Sequence, residues 1–441
     1  MVFPPPDTKK ETRFGVPMGL LYLATPLKQN GFEVRLLNLS LDRRFIEIPA
    51  HLLEWADLVG LSIPSYCRAS AIQLVKRIKQ YIPGLPVMVG GPDCILFPEL
   101  FPGSDITVTG EAEGIIVDIA NAVLHHSDLN SIPGLIIRGD DGTIKSTGDL
   151  YPIKELDQSG FPDRGLLSYW DERKPNLESQ KTLPKSTELI TSRGCPRHCR
   201  FCSRDALTYS NYRERSVENV TTELVQIADR GYEMVWVSDD NFTVNTARAL
   251  KIFNILAELR LPLGLALSGW VGSAGKELFK AARAAGVRII SFGLESGNQD
   301  VLDFYQKGIT LEQIKTAVNL ADECGLFTVG NFIIGAPVET KEHFAKTIVL
   351  AQELPLDSVN FKVLGYMAGS SLWKEQVVKG NISPDERNVF ADKRRGLGNF
   401  TLEELKQVVA KSYQGFNSNP RRHIRLKKKM LEQGLPYDLK T

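Results

Sequence analysis

The chain has 441 residues, 43% hydrophobic and 24% charged, enough apolar material for a buried core in two or three domains, which excludes a wholly disordered chain. Lys and Arg number 53 against 52 Asp and Glu, and a net charge of +1 excludes a global attraction to nucleic acid or an anionic membrane. No apolar run approaches the roughly 20 residues that cross a bilayer, and Met1-Val2-Phe3-Pro4-Pro5-Pro6 lacks the apolar stretch of a secretion signal, so a cytoplasmic protein is expected.

Residues 1–130 alternate short apolar runs with helical periodicity. Glu33–Leu37, Leu58–Ile63, Val87–Val89 and Ile106–Val108 read as strands, and Ala71, Leu74, Val75, Ile78 and Ile82 recur along one helix face. This rhythm predicts an α/β, doubly wound (Rossmann-like) domain whose ligands bind at the carboxyl ends of parallel strands. The turns Gly90-Gly91-Pro92 and Gly110-Glu111 lie there. Residues 131–187 lose the rhythm. Leu135–Arg138 and Thr143–Lys145, joined by Asp140-Asp141-Gly142, predict a hairpin, and Pro152, Pro162, Pro175 and Pro184 mark a surface connector. In residues 188–366, strands are expected at 188–192, 234–238, 263–267, 287–293, 327–334 and 358–364. Val217–Arg230, Thr246–Leu259 and Leu311–Cys324 read as helices between them. Six such units predict a partial (β/α)6 barrel with its chemistry at the carboxyl ends of the strands. Residues 367–441 read as a small α-rich region, including a helix over Thr401–Phe416 with Thr401 and Glu404 spaced as a capping box. Six of the nine residues Arg421–Lys429 are Lys or Arg, which reads as a solvated helix face.

Of six cysteines, three form C-x3-C-x2-C at Cys195, Cys199 and Cys202, after the first barrel strand; Cys67, Cys94 and Cys324 are scattered. Three thiolates on one loop can hold three corners of an iron–sulfur cube, where four cysteines are usual. With no fourth cysteine nearby, one iron is left open for substrate or cofactor. Two alternatives stand beside this. One is a Cys3His zinc site using His198, although His198 directly precedes Cys199 and zinc ligands usually come as separated pairs. The other is a complete four-cysteine cluster that borrows Cys94 or Cys324.

The loop Cys195-Pro196-Arg197-His198-Cys199-Arg200-Phe201-Cys202 resembles the signature of the radical S-adenosylmethionine (SAM) superfamily. Three further segments follow in that family's order: Ser238-Asp239-Asp240-Asn241-Phe242, Gly293-Leu294-Glu295-Ser296-Gly297, and Gly330–Glu339, which is similar to a G-x-I-x-G-x-x-E segment. Singly, the aspartates could cap a helix and the glycines could make ordinary turns. The resemblance implies a [4Fe-4S] cluster on Cys195, Cys199 and Cys202, SAM held by Asp240, Glu295 and Ser296 with Gly335 beside the adenine, and Tyr366 on the adenine or substrate side. Pro17–Ala24, Trp55–Ser62, Val89–Asp93 and Thr109–Gly114 resemble the cobalamin-binding domain that precedes the barrel in one large subgroup, and Tyr413–Arg425 resembles its C-terminal helix. The subgroup's D-x-H-x-x-G motif is absent. The resemblance therefore implies a cobalamin site lined by Ser62, Gly90, Gly91, Pro92, Gly110 and Glu111, with Tyr66 or Arg68 below the cobalt. The alternative is a degenerate domain that binds nothing.

The resemblance implies domains at 1–130 (cobalamin), 131–187 (hairpin and connector), 188–366 (radical SAM barrel) and 367–441 (helical). It also implies a reaction. An electron from a ferredoxin- or flavodoxin-like donor cleaves SAM on the open iron, the 5′-deoxyadenosyl radical takes hydrogen from an unactivated carbon, and methylcobalamin at the barrel mouth supplies a methyl group. Members of the family modify antibiotics, lipids and peptides. Only 75 residues follow the barrel, which points to a peptide or protein side chain as substrate. Cyclisation, oxidation or rearrangement without methyl transfer, and a non-catalytic zinc or cobalamin module, are the other readings. Neither a membrane nor a nucleic-acid partner is expected.

Overall fold

Both sheets of the protein are built around parallel strands whose runs are rich in buried apolar residues. The computed structural model describes residues 1–7, 16–40, 48–139, 141–167, 185–209 and 211–433. The chain divides into two units, Met1–Ser179 and Gln180–Thr441.

The first unit contains strands β1 (Val2–Phe3), β2 (Leu37–Asn38), β3 (Val59–Ser62), β4 (Val87–Gly90), β5 (Ile106–Val108), β6 (Leu135–Arg138) and β7 (Ile144–Ser146) in one sheet of order β2-β1-β3-β4-β5-β6-β7. The first five are parallel; β6 and β7 add on antiparallel. Val87 and Val89 pack into one apolar cluster and Met88 into another, as alternation across a strand requires. The sequence places a strand over Glu33–Leu37, but only Leu37 of that run is in β2. Its partner β1 is cut short where Pro4-Pro5-Pro6 offer no N–H to a ladder. The expected hairpin forms, yet it extends the N-terminal sheet through β5 instead of standing in a separate connector. Asp140, Pro175 and Pro184 lie outside the described residues.

The second unit holds β8 (Ser186–Leu189), the short antiparallel pair β9 (Ser192–Arg193) and β10 (Arg213–Glu214), then β11 (Met234–Val237), β12 (Gly264–Gly269), β13 (Val287–Glu295), β14 (Phe327–Ile334) and β15 (Ser358–Val363). Its six-stranded sheet is parallel throughout, in the order β15-β14-β13-β12-β11-β8, with β8 and β15 as its edges. Helices Val217–Asp229, Thr246–Leu259, Lys276–Ala284, Leu311–Glu323 and Lys341–Glu353 connect the strands. Beyond them, β16 (Gly365–Met367) pairs antiparallel with β17 (Asn388–Phe390), so the C-terminal region is not purely helical. Helix Leu402–Asn417 starts with the expected capping box, Thr401 with Glu404.

The basic run does not form a simple solvated face. In helix Pro420–Gln433, Arg422 Nη1 donates to Leu356 O at 2.6 Å, Arg425 pairs with Asp322 at 2.6 Å, and Lys429 pairs with Asp322 and Asp357, both at 2.7 Å. Positions 422, 425 and 429 share one helix face. Among the described residues no helix is long and apolar enough to cross a membrane.

Candidate active site

The cysteine loop leaves the carboxyl end of β8 and is fixed from several sides. Gly194 has φ +84°, and a Cβ there would meet Asn211 O at 2.2 Å, so the sharp entry into the loop requires glycine. Buried Asp239, just past β11, accepts four hydrogen bonds from the residues that lead into the loop: Thr191 N (2.7 Å), Thr191 Oγ1 (2.5 Å), Ser192 N (3.1 Å) and Ser192 Oγ (2.7 Å). Arg248 donates to Thr191 O from behind at 2.9 Å. Arg200, inside the loop, makes a bidentate pair with Glu375 at 2.8 and 2.7 Å. The Phe201 ring meets Tyr305 edge-on at 5.1 Å, and the Arg197 guanidinium lies 3.6 Å over the Trp270 ring.

All three thiols are half-buried, and burial pushes their pKa values up, that of Cys199 to about 11. Lys307 opposes this at Cys199 and Cys195, and Arg204 at Cys202. These cations, and not the burial, favour the thiolate form that cluster ligation needs. The other candidate ligands are engaged elsewhere. Cys94 is packed in the apolar core of the first unit. Cys324 follows helix Leu311–Glu323 and so precedes β14, at the opposite end of the strands from the loop. The exposed His198 pairs with Asp205 at 2.8 Å. Among the described residues no three His, Cys, Asp or Glu converge on a single metal position.

The next strand ends supply the charged groups. Asp240 pairs with Arg204 at 2.8 Å, and burial pushes its carboxyl up to about 6. Asp239 is committed to the clamp, which leaves Asp240 as the acid beside the cysteines. At the end of β13, Glu295 has φ +59° and accepts from Lys307 Nζ at 2.6 Å, with both side chains largely buried. Burial opposes the Lys307 charge, but Glu295 and then Cys199 outweigh it and raise its pKa. A Cβ on Gly293 would stand 2.4 Å from Glu295 Oε1 and 2.7 Å from Lys307 Nζ, so this glycine clears the space for the pair. Lys307 escaped the sequence reading because 12 positions separate it from its partner. The signal was a lone acid at a strand end with a lysine one short helix later.

Other expected residues have different surroundings. The Ser296 hydroxyl is buried against Thr347 (3.3 Å) and takes bonds from Asn298, so it fastens the turn after β13 to helix Lys341–Glu353. Tyr366 is fully enclosed, its hydroxyl has no hydrogen-bond partner, and burial raises its pKa to about 12; it lines no open surface. Gly335 has φ +110°, and its N–H donates to Glu339 Oε2 at 2.6 Å.

In the first unit, Gly91 has φ +101°, and a Cβ there would meet Ile63 N at 2.9 Å and Ser62 Oγ at 3.0 Å, so the β3 and β4 ends approach closely. Tyr66, in the loop after β3, is exposed. Arg68, its alternative below the cobalt, instead donates to buried Asp93 and to Glu99. At Gly110 a Cβ would strike Leu150, and Glu111 accepts from Ile153 N at 3.1 Å, so this turn holds the following segment in place. Gly90 has only ordinary contacts, and Pro92 opens the short helix Pro92–Leu96. Ser62, Gly91 and Tyr66 stand at or just past the carboxyl ends of β3 and β4.

Comparison with known proteins follows this division. Residues 12–120 match the B12 binding domain and residues 189–351 match the radical SAM superfamily. The chain thus carries a B12 binding domain followed by a radical SAM domain. It is 28% identical to an uncharacterized methyltransferase of Pyrococcus horikoshii over 96% of this chain and 92% of that protein. It is 25% identical to an anaerobic magnesium-protoporphyrin IX monomethyl ester cyclase of Rubrivivax gelatinosus, over 82% of this chain and 66% of the cyclase. The radical SAM methyltransferase TsrM from Kitasatospora setae, solved with tryptophan and a SAM analogue, aligns with a TM-score of 0.70 and 20% identity over 85% of this chain and 76% of TsrM, a likeness of fold. TsrM has also been solved with cobalamin and a [4Fe-4S] cluster bound, and this chain carries both a B12 binding and a radical SAM domain, whose cofactors are cobalamin, SAM and the cluster.

Proposed function

We propose that this enzyme methylates an unactivated carbon of a peptide or protein side chain. The observation that carries the radical reading is the loop of three braced thiols without a usable fourth cysteine, beside Asp240 and the Glu295–Lys307 pair. When bound, the cluster and SAM supply a carbon-centred radical and cobalamin supplies the methyl group. Cys195, Cys199 and Cys202 hold the cluster. Asp240 accepts the amino group of SAM, Lys307 faces its carboxylate, and Glu295 accepts a ribose hydroxyl while keeping Lys307 oriented. Gly335, just past the end of β14 where a Cβ would meet Leu405 Cδ1 at 2.9 Å, lies on the adenine side. In the first unit, Ser62, Gly91 and Tyr66 contact cobalamin. A low-potential electron donor is required.

The test is anaerobic turnover after reconstitution, with both SAM-derived products quantified. Formation of 5′-deoxyadenosine together with S-adenosylhomocysteine supports methyl transfer. 5′-Deoxyadenosine alone favours chemistry without methyl transfer, such as the ring closure named for the cyclase relative. Neither product from iron-loaded protein would overturn the proposal.

A further inference from the structure

In and beside the cysteine loop, Arg200 pairs with Glu375, Arg204 with Asp240, Lys307 with Glu295 and His198 with Asp205. Arg197, midway between Cys195 and Cys199, differs. Among the described residues no acid pairs with it, and its buried Nε has no hydrogen-bond acceptor. Its guanidinium stands 3.6 Å over the Trp270 ring instead. That ring is a fixed platform just past β12. Trp270 N donates to Thr243 Oγ1 at 2.8 Å, Ser273 Oγ donates to Trp270 O at 2.7 Å, and a Cβ on Gly272 would come within 2.4 Å of the ring. The buried indole N–H has no acceptor either. An aromatic face holds a cation through its quadrupole and leaves the charge intact, whereas a carboxylate would cancel it. The Arg197 N–H also bonds to the Cys195 sulfur, and the guanidinium charge acts on that sulfur in the same direction, toward thiolate.

Resting on the proposed cluster at Cys195, Cys199 and Cys202, we infer that Arg197 is the charge that makes this cluster easier to reduce, and that Trp270 is the positioning residue that keeps it there. Three thiolates give an oxidised [4Fe-4S] cluster a net negative charge, and the incoming electron makes it more negative. A fixed cation nearby therefore stabilises the reduced form more than the oxidised form, and the potential rises. Net charge and hydrogen bonds to the sulfurs are two of the protein's levers on cluster potential, and Arg197 supplies both. The paired cations contribute less, because each brings its own acid. The platform matters because an arginine side chain is long and flexible. Without the Trp270 ring the guanidinium would swing into water, where ions screen it.

The test is a redox titration of the anaerobically reconstituted full-length enzyme without SAM. The reduced cluster is followed by electron paramagnetic resonance, and iron and sulfide are counted in each variant. Poised at the wild-type midpoint, Arg197→Met should hold about tenfold less reduced relative to oxidised cluster, a shift of about 59 mV for one electron. Arg197→Lys keeps the charge and should restore most of that ratio. Trp270→Leu should move the midpoint in the same direction as Arg197→Met. An unshifted midpoint in Arg197→Met with a full cluster overturns the inference. So does weaker SAM binding by that variant at an unchanged midpoint, which would assign the guanidinium to SAM. An equal shift in His198→Asn, an exposed neighbour expected to leave the midpoint unchanged, would show a general effect of altering the loop and count against Arg197. If Arg197→Met takes up no cluster, Trp270→Leu decides by the same criterion. A wild type that takes up no four-iron cluster would be a failure of the radical reading, distinct from each of these results.

Discussion

Lys307 and Glu295 are each costly alone and tolerable together. Their 2.6 Å contact is largely buried, so removing one partner strands the other's charge. We expect Lys307→Met to lower the unfolding free energy by about 3 kcal/mol and Glu295→Gln in the same background to recover part of it, read as a double-mutant cycle in urea. Additivity would mean that the pair is not coupled. A second residue-scale outcome concerns Glu339, which is wholly buried; burial raises its carboxyl from 4.5 to about 7 despite the N–H groups of Gly335 and Ala336. An acid raised by folding favours the protonated native state. Its contribution is therefore complete below pH 4.5 and is lost as pH rises through about 7. Glu339→Gln should remove roughly 3 kcal/mol of this fall, seen as a flatter plot of unfolding free energy against pH. An unchanged slope would place the proton elsewhere.

At the scale of elements, the Asp239 clamp decides where the cysteine loop begins. One carboxylate joins the end of β11 to the segment leaving β8 and satisfies four donors. Asp239→Ala leaves those donors buried and unpaired, which should cost at least about 3 kcal/mol. Iron retained after anaerobic reconstitution should fall with it, whereas Asp205→Ala, which touches only exposed His198, should leave iron content unchanged. Equal retention in both would show that the loop needs no clamp. Much of this was legible in the sequence, because strand identity and the cysteine spacing are local properties. The runs 327–334 and Thr246–Leu259 match β14 and the helix between β11 and β12 residue for residue. The clamping role of Asp239 was not legible, since it depends on Thr191 and Ser192, nearly 50 positions earlier. The pairing of the Leu135–Arg138 hairpin strand with β5 was hidden for the same reason. The tie from Ser296 to Thr347 was hidden too, because the two lie 51 positions apart.

Across the barrel unit as a whole, the C-terminal helix Pro420–Gln433 is tied to two separate places, and its charge is used for anchoring. Arg425 and Lys429 meet Asp322 at the end of helix Leu311–Glu323, and they also meet Asp357, the fully buried residue that accepts from Thr328 N just before β15 begins. Asp357 also carries a second oxygen with no hydrogen-bond partner of its own, so its charge depends on these two cations. Lys429→Met keeps the bulk of the side chain but removes the charge, leaving Asp357 under-compensated where water cannot reach it. We expect a loss of about 3 kcal/mol in urea unfolding, with the rate of unfolding of the second unit increased. Lys428 is the internal control, since it is exposed and its nearest acid, Glu432, is 3.8 Å away. Lys428→Met should change stability by no more than about 0.5 kcal/mol. If both variants behaved alike, the basic run would act through net charge alone, and raising the salt concentration would then affect the two equally.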